Sequence, residues 1–249
     1  MLGIAHGWAG FLYALMQWKR TQGKEPGDGI RARLLQLEEL GEERGTGMRW
    51  KIRLDARRRS PTQYMTGWCN GSAGMVFLWT LAHEAYREVR FLKLAEKAAR
   101  SAWESSEQAS TLCCGTAGSA YAFLTLHRAV GDRVWLTRSE EMLDRAIGHA
   151  SAGVDCSLYK GNLGVALLAE EIEHPAWSAM PMSRRNAGAT SGESSTKETA
   201  IRGLPEVISG PEVLALYRMR VDRSPCSTVR HDRDRGVPHR RARRSSRAL

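Results

Sequence analysis

Apolar segments of helical length alternate with amphipathic segments along the body of the chain. Three amphipathic stretches, residues 29–43, 89–106 and 134–151, carry apolar side chains at i, i+3 and i+4 spacing with charged residues between them. The segments that follow residues 74 and 118 are apolar on nearly every side, which is typical of helices that are buried all round. Strand signals are nearly absent. The pattern predicts an all-α protein built of stacked helical hairpins.

A Gly-x-x-Gly step recurs four times, each time at the start of an apolar segment. Its first glycines are Gly7, Gly71, Gly115 and Gly161, which are 64, 44 and 46 residues apart. Each repeat therefore consists of an outer amphipathic helix, a glycine loop and an inner buried helix. A tight turn between helices would by itself explain the glycines, because glycine adopts backbone conformations that other residues avoid and allows close backbone approach. The alternative is that all four loops point into one functional mouth.

The tight-turn explanation does not account for the side chains in front of each first glycine. In the aligned repeats the preceding residue is His6, Asn70, Cys114 or Lys160, and the residue before that is Ala5, Cys69, Cys113 or Tyr159. If the hairpins pack around a common axis, Cys69, Cys113 and Cys114 converge from two neighbouring loops, with His6 on a third. Zinc favours thiolate and imidazole ligands, and three protein ligands leave a fourth position for water or substrate.

The chain contains five cysteines in 249 residues. An odd number in a chain of this length makes a disulfide framework a poor explanation. Because a single cysteine is more often a small buried hydrophobe than a ligand, Cys156 and Cys226 are assigned no metal role. His6 has a simpler alternative as a helix-entry residue, His83 and His127 as surface or capping residues, and Lys160 as a solvated residue of the rim.

The positive charge of the chain is concentrated at its C-terminal end. Residues 183–249 hold fifteen Lys and Arg against seven Asp and Glu, which leaves only +2 of the net charge of +10 for residues 1–182. We expect a folded domain over 1–182 and a basic, Arg- and Ser-rich disordered tail over 183–249. The tail is either a nucleic-acid-binding arm or, as we prefer, an appended segment unrelated to the fold. No signal peptide or membrane span is evident, so we expect a cytoplasmic protein that contacts neither membrane nor nucleic acid.

Three motifs together resemble the lanthionine synthetase C-like cyclase family. Residues 3–7 (GIAHG) resemble its G-x-x-H-G motif, residues 68–71 (WCNG) its W-C-x-G motif, and residues 113–115 (CCG) its C-H-G motif with cysteine in place of histidine. The resemblance extends over about residues 3 to 182. It implies an (α/α) toroid of helical hairpins with zinc at one end of the inner barrel. The family's toroid has seven hairpins, and since four glycine loops are present here, we expect an incomplete ring.

The resemblance also implies a chemistry for the cysteine and histidine residues of these motifs. It makes Cys69, Cys113 and Cys114 the zinc ligands and His6 a nearby acid/base outside bonding distance of the metal. A substrate thiol would be deprotonated at the zinc and would add to dehydroalanine or dehydrobutyrine of the same peptide, closing a thioether ring. We expect Gly115 to supply the backbone freedom that lets the two adjacent cysteines reach one metal.

Two functions therefore remain open. One is a zinc-dependent lanthionine-forming cyclase, or a piece of one, acting on a dehydrated precursor peptide. The other is a non-catalytic relative that binds zinc and a thiol-containing ligand or a partner.

Overall fold

A computed structural model of the chain describes residues 1–54, 63–104, 109–149 and 157–173. These residues form seven α-helices and one two-stranded antiparallel sheet. In chain order the elements are α1 (Trp8–Thr21), α2 (Asp28–Glu39), β1 (Gly41–Arg44), β2 (Gly47–Trp50), α3 (Ser72–Tyr86), α4 (Val89–Trp103), α5 (Thr116–Val130), α6 (Arg133–Gly148) and α7 (Leu163–Glu173). Helices α1, α3, α5 and α7 form an inner row in which each contacts the next. Helices α2, α4 and α6 each pack against the inner helix that precedes them.

The two central inner helices are buried on all sides, as their apolar composition predicts. Every residue of α3 from Ser72 to Ala82 is buried, and so is every residue of α5 from Thr116 to Leu124. Each of these helices lies between two inner neighbours and also packs against an outer helix, so no polar face remains. The core is therefore continuous along the inner row.

The outer helices follow the predicted amphipathic stretches closely, with one exception. Helix α4 buries Phe91, Leu94, Ala98 and Ala102 on one face, at the predicted spacing, while Lys93 is exposed. Helix α6 similarly lies within the stretch 134–151, give or take one residue at its start. The helix predicted over 29–43 ends earlier, at Glu39, because the chain turns there into a strand.

A short β-hairpin is the feature that the all-α prediction did not include. Strands β1 and β2 pair antiparallel with Gly41 opposite Trp50, and Gly45, with φ +56, lies in the two-residue turn. The hairpin lies flat on α4, since a Cβ atom at Gly47 would come within 2.6 Å of the backbone nitrogen of Ser101. Trp50 is buried and donates from Nε1 to the carbonyl oxygen of Leu37 at 2.8 Å. This packing fixes the hairpin between α2 and α4.

Close backbone approach, and not conformational freedom, explains the glycine pairs. A Cβ atom on the second glycine of each repeat would lie 2.0 to 2.2 Å from the carbonyl oxygen six residues earlier. These second glycines are Gly10, Gly74, Gly118 and Gly164. Our expectation for Gly115 was wrong in its reason: its φ of −113 and ψ of −168 are extended values open to any residue, and its Cβ would instead meet the carbonyl oxygen of Ala109 at 2.2 Å.

Backbone hydrogen bonds join the four glycine loops in sequence. We call them loops 1 to 4, the residues leading to Gly7, Gly71, Gly115 and Gly161. The amide of Ala5 donates to the carbonyl oxygen of Cys69 at 2.9 Å, that of Cys69 to Cys113 at 3.0 Å, and that of Cys113 to Tyr159 at 2.9 Å. The three bonds use equivalent positions of the repeat. This confirms that the loops lie side by side at one end of the inner row.

The predicted domain boundary at 182 and the tail 183–249 lie outside the described residues, and so do Cys156 and Cys226. Among the residues that are described, none of the helices combines the length and apolarity that crossing a bilayer requires.

Candidate metal centre

Three cysteine side chains meet where loops 2 and 3 touch. The Sγ atom of Cys114 lies 3.3 Å from Sγ of Cys69 and 3.4 Å from Sγ of Cys113. All three sulfur atoms lie within 4.8 Å of one another. No other His, Cys, Asp or Glu trio converges this closely in the described part of the chain. We refer to Cys69, Cys113 and Cys114 as the thiol cluster.

The loop backbone determines how the thiol cluster is assembled. Cys69 lies two residues before Gly71, which caps the N-terminus of α3. Cys113 and Cys114 directly precede Gly115, which caps the N-terminus of α5. The unpaired amides at a helix N-terminus carry partial positive charge and favour a nearby thiolate. Because both helices start at this end of the inner row, the three thiols share one electrostatic environment.

Burial works against ionisation of the thiols in the absence of a metal. It is the largest cause that raises the pKa of Cys69, which is 3% exposed, and also of the half-buried Cys113. A side-chain hydrogen bond with Cys114 and a backbone hydrogen bond with Asn70 both lower the pKa of Cys69. The positive charge of Lys160 likewise lowers the pKa of Cys113. A cation bound among these sulfurs would offset the cost of their burial as thiolates.

The donor set and its spacing fit zinc. Zinc–thiolate bonds are about 2.3 Å long, and so two sulfur ligands of one tetrahedral zinc lie about 3.8 Å apart. The observed separations of 3.3 and 3.4 Å require the sulfurs to spread by only a few tenths of an ångström. Three soft sulfur donors select zinc over hard cations such as magnesium or calcium, which prefer oxygen.

His6 lies on loop 1, which is hydrogen-bonded to loop 2, the loop that carries Cys69. Its neighbour Ala5 donates its amide hydrogen to the carbonyl oxygen of Cys69. The side chain of His6 is exposed, and its ring is not part of the group of converging ligand atoms. His6 therefore lies outside the thiol cluster, and its role as an acid/base stays a prediction.

Two residues of loop 4, Tyr159 and Lys160, also lie near the thiol cluster. In the sequence, only the alignment of the repeats indicated their position. The Tyr159 ring packs on Trp68 with ring centroids 5.5 Å apart, and Trp68 is buried. The hydroxyl of Tyr159 is buried without a hydrogen-bond partner among the described residues. Lys160 is exposed, as a solvated rim residue would be.

Two other histidines have the capping role expected for them. Nδ1 of His83 lies 2.9 Å from the carbonyl oxygen of Glu88, and Nδ1 of His127 lies 2.9 Å from that of Asp132. Both rings thus fasten the C-terminus of an inner helix to the start of the following outer helix. Neither is available as a ligand for the thiol cluster, which lies at the opposite, N-terminal ends of α3 and α5.

Comparison with known proteins agrees with this architecture. The family model described as lanthionine synthetase C-like protein matches residues 1–182. Glutathione S-transferase LANCL1 of Danio rerio is 23% identical over 192 residues, and LanC-like protein GCL1 of Arabidopsis thaliana is 25% identical over 198 residues. Each alignment covers 72% of this chain, but only 45% and 42% of the respective relative. The chain thus spans less than half the length of these curated relatives.

A solved structure shows the same fold. Nisin cyclase superposes with a TM-score of 0.59 at 20% sequence identity, over 70% of this chain and 46% of that one. The described helices accordingly form part of an (α/α) toroid, as the motifs predicted. The loops and the thiol cluster lie at one end of its inner row of helices.

Proposed function

The chain belongs to the lanthionine synthetase C-like family, and on that basis we propose that it is a zinc-dependent cyclase, or the metal-binding part of one, that forms lanthionine rings. The observation that carries the proposal is the convergence of three thiols from two neighbouring loops at the mouth of the inner helices. The substrate would be a dehydrated precursor peptide that carries both a cysteine and a dehydroamino acid.

The thiol cluster would hold the metal, and three protein donors leave one position of a tetrahedral site for a substrate sulfur. Zinc, when bound, would lower the pKa of a substrate thiol and so favour its thiolate. A third cysteine donor in place of histidine adds negative charge to the site. A substrate thiolate there is therefore more nucleophilic and less firmly held.

Ring closure needs one carbon–sulfur bond and one proton. The peptide thiolate adds to the β-carbon of dehydroalanine or dehydrobutyrine, and the enolate that results must take up a proton at its α-carbon. We assign this proton donation to His6, because an imidazole exchanges protons near neutral pH and loop 1 is hydrogen-bonded to loop 2.

A second candidate is a zinc-binding protein that takes a soluble thiol-containing ligand. One curated relative carries the name glutathione S-transferase, which favours a small thiol over a peptide for the same position. The mouth itself suits either ligand, since both would enter as a sulfur donor. The two candidates differ in what the thiol attacks.

The experiment combines metal content with ring closure on the purified full chain. We expect one zinc per chain after dialysis, and closure of a thioether ring in a synthetic dehydrated peptide. Cys69→Ala should lose both properties, His6→Asn should keep the zinc and lose most of the ring closure, and Cys156→Ala should keep both. Full zinc retention by Cys69→Ala would contradict the metal site. Zinc binding together with conjugation of a soluble thiol, but without ring closure, would favour the second candidate.

A further inference from the structure

Two sulfur atoms of the thiol cluster that belong to different loops are in direct contact. Cys69 and Cys114 are 45 residues apart in the chain, yet their Sγ atoms lie 3.3 Å apart. A disulfide bond is about 2.05 Å long, so the two atoms are separated by little more than an ångström beyond bonding distance. The backbone around them is already held in place, because the amide of Cys69 donates a hydrogen bond to the carbonyl oxygen of Cys113.

The neighbouring pair in the sequence is equally close but chemically different. Sγ of Cys113 lies 3.4 Å from Sγ of Cys114. A disulfide between adjacent cysteines closes an eight-membered ring that contains their peptide bond, and a planar trans peptide resists that closure. The pair across the loops carries no such restriction. Oxidation should therefore join Cys114 to Cys69 and not to its neighbour Cys113.

Access to solvent differs between the members of the pair. Cys69 is buried, whereas Cys114 is half-buried at the mouth. An oxidant that arrives from solvent reaches Cys114 before the buried Cys69, which lies 3.3 Å away as the resolving thiol. A partly accessible thiol next to a second, resolving thiol is one feature of redox-sensing cysteines.

We propose that Cys69 and Cys114 form an oxidation site for hydroperoxides, whose product is a disulfide that joins loops 2 and 3. The Cys114 thiolate attacks one peroxide oxygen, the O–O bond breaks, and the other oxygen leaves as water or an alcohol after taking a proton. The sulfenic acid on Cys114 is then attacked by the Cys69 thiolate. Its S–O bond breaks, and hydroxide leaves and is protonated to water. In total two thiols and one hydroperoxide give one disulfide, one water and one further water or alcohol.

The disulfide would remove two of the three sulfur donors from the metal centre. Release of zinc on oxidation rests on the proposed function, whereas formation of the disulfide does not. The same cross-link is expected with and without zinc in the protein. Failure of zinc binding and failure of the oxidation proposal can therefore be told apart.

The test uses hydrogen peroxide on the full-length chain, in zinc-supplemented and chelator-treated samples, followed by alkylation and tryptic digestion without reductant. Trypsin places Cys69 in residues 60–87 and both Cys113 and Cys114 in residues 101–128. We expect these two peptides to be recovered as one disulfide-linked species. A chromophoric chelator in the zinc-supplemented sample should report metal release at the rate at which the linked species forms.

Two serine variants identify the partner of Cys69. In the chelator-treated samples, Cys113→Ser should give the linked species at close to the wild-type rate, while Cys114→Ser should lower its rate of formation at least about tenfold. The wild-type digest is informative even if a variant misfolds, because a vicinal disulfide would appear as a loss of two hydrogens within residues 101–128 alone. That result, or a link that persists in Cys114→Ser and is lost in Cys113→Ser, would overturn the proposal. Oxidation to sulfinic or sulfonic acids without any cross-link would overturn it as well.

Discussion

The amide of Cys69 donates to the carbonyl oxygen of Cys113 at 3.0 Å, and this bond ties together the two loops that supply the thiol cluster. The loops approach so closely that a Cβ atom on Gly67 would lie 2.6 Å from the Cα atom of Cys114. The geometry of the cluster therefore depends on a glycine that contributes no side chain to it.

Gly67→Ala should weaken metal binding although all three thiols remain. The added methyl group must push loop 3 away from loop 2, which separates Cys69 from Cys114. Loss of outer contacts that orient metal ligands commonly costs about 10- to 100-fold in affinity, and we expect a loss in that range by zinc competition with a chelator. Gly29→Ala is the matched control, because a Cβ atom there meets nothing within 4 Å. Equal zinc affinity in both variants would argue against this reading of the loop contact.

The sequence predicted the thiol cluster because the repeat carries two kinds of information at once. The apolar segments fix where inner helices start, and the aligned glycines fix which residues precede them, so equivalent positions had to come together if the hairpins pack in a row. The hydrogen bonds from Ala5 to Cys69 and from Cys69 to Cys113 follow that alignment. What the alignment could not supply was which property of glycine matters here: the structure shows close approach between backbones and not conformational freedom.

The first strand of the β-hairpin was not predictable from its own residues. Strand β1 reads Gly-Glu-Glu-Arg, which lacks the alternation of apolar and polar residues typical of a half-buried strand. Its place is determined by tertiary contacts, since Met48 and Trp50 of β2 are buried while the exposed end of β1 is charged. Local sequence therefore favoured a continued helix, and packing on α4 decided otherwise.

Trp50 should be the most sensitive residue of the hairpin. It is 2% exposed, its ring centroid lies 5.9 Å from that of Trp79, and its Nε1 satisfies the carbonyl oxygen of Leu37. Trp50→Ala should lower the free energy of unfolding by about 3 to 5 kcal/mol. Trp50→Phe keeps an aromatic ring but leaves the carbonyl unpaired, and should cost about 1 to 3 kcal/mol.

Urea unfolding of the two Trp50 variants and the parent chain measures these differences. The far-UV circular dichroism of Trp50→Phe before denaturation controls for loss of the helices. A cost for Trp50→Phe equal to that of Trp50→Ala would mean that ring packing contributes nothing beyond the hydrogen bond.

Glu88 should make stability depend on pH at the acidic end. Arg31 donates to both carboxylate oxygens of Glu88, at 2.6 and 3.1 Å, and this contact lowers the pKa of Glu88. Because the pKa is lower in the folded state, the stabilisation is complete above the ordinary value of about 4.3 and is lost as pH falls through the folded value. Glu88→Gln should therefore be less stable than the parent at pH 7, and the difference should shrink as the pH falls below the ordinary glutamate pKa of about 4.3.

Urea titrations of parent and variant across that pH range check the effect. Glu140→Gln, at an exposed position of α6, removes the same charge elsewhere and serves as the control. A stability difference for Glu88→Gln that is constant from pH 7 to the acid limit would contradict the role of this ion pair.

Helix α1 presents an apolar stripe to solvent, and replacing it should not cost stability. The exposed fractions are 40% for Trp8, 67% for Phe11, 46% for Leu15 and 61% for Trp18. Phe11→Ser combined with Trp18→Ser should change the free energy of unfolding by less than about 0.5 kcal/mol per site, while binding of a hydrophobic dye to the native protein should fall, since exposed apolar patches are the sites such dyes occupy. Leu12→Ser, one residue along and 2% exposed, is the contrasting control and should cost about 2 to 5 kcal/mol or more. If the double variant were destabilised as strongly as Leu12→Ser, the stripe would have to be covered in the native chain, and its exposure could no longer explain dye binding.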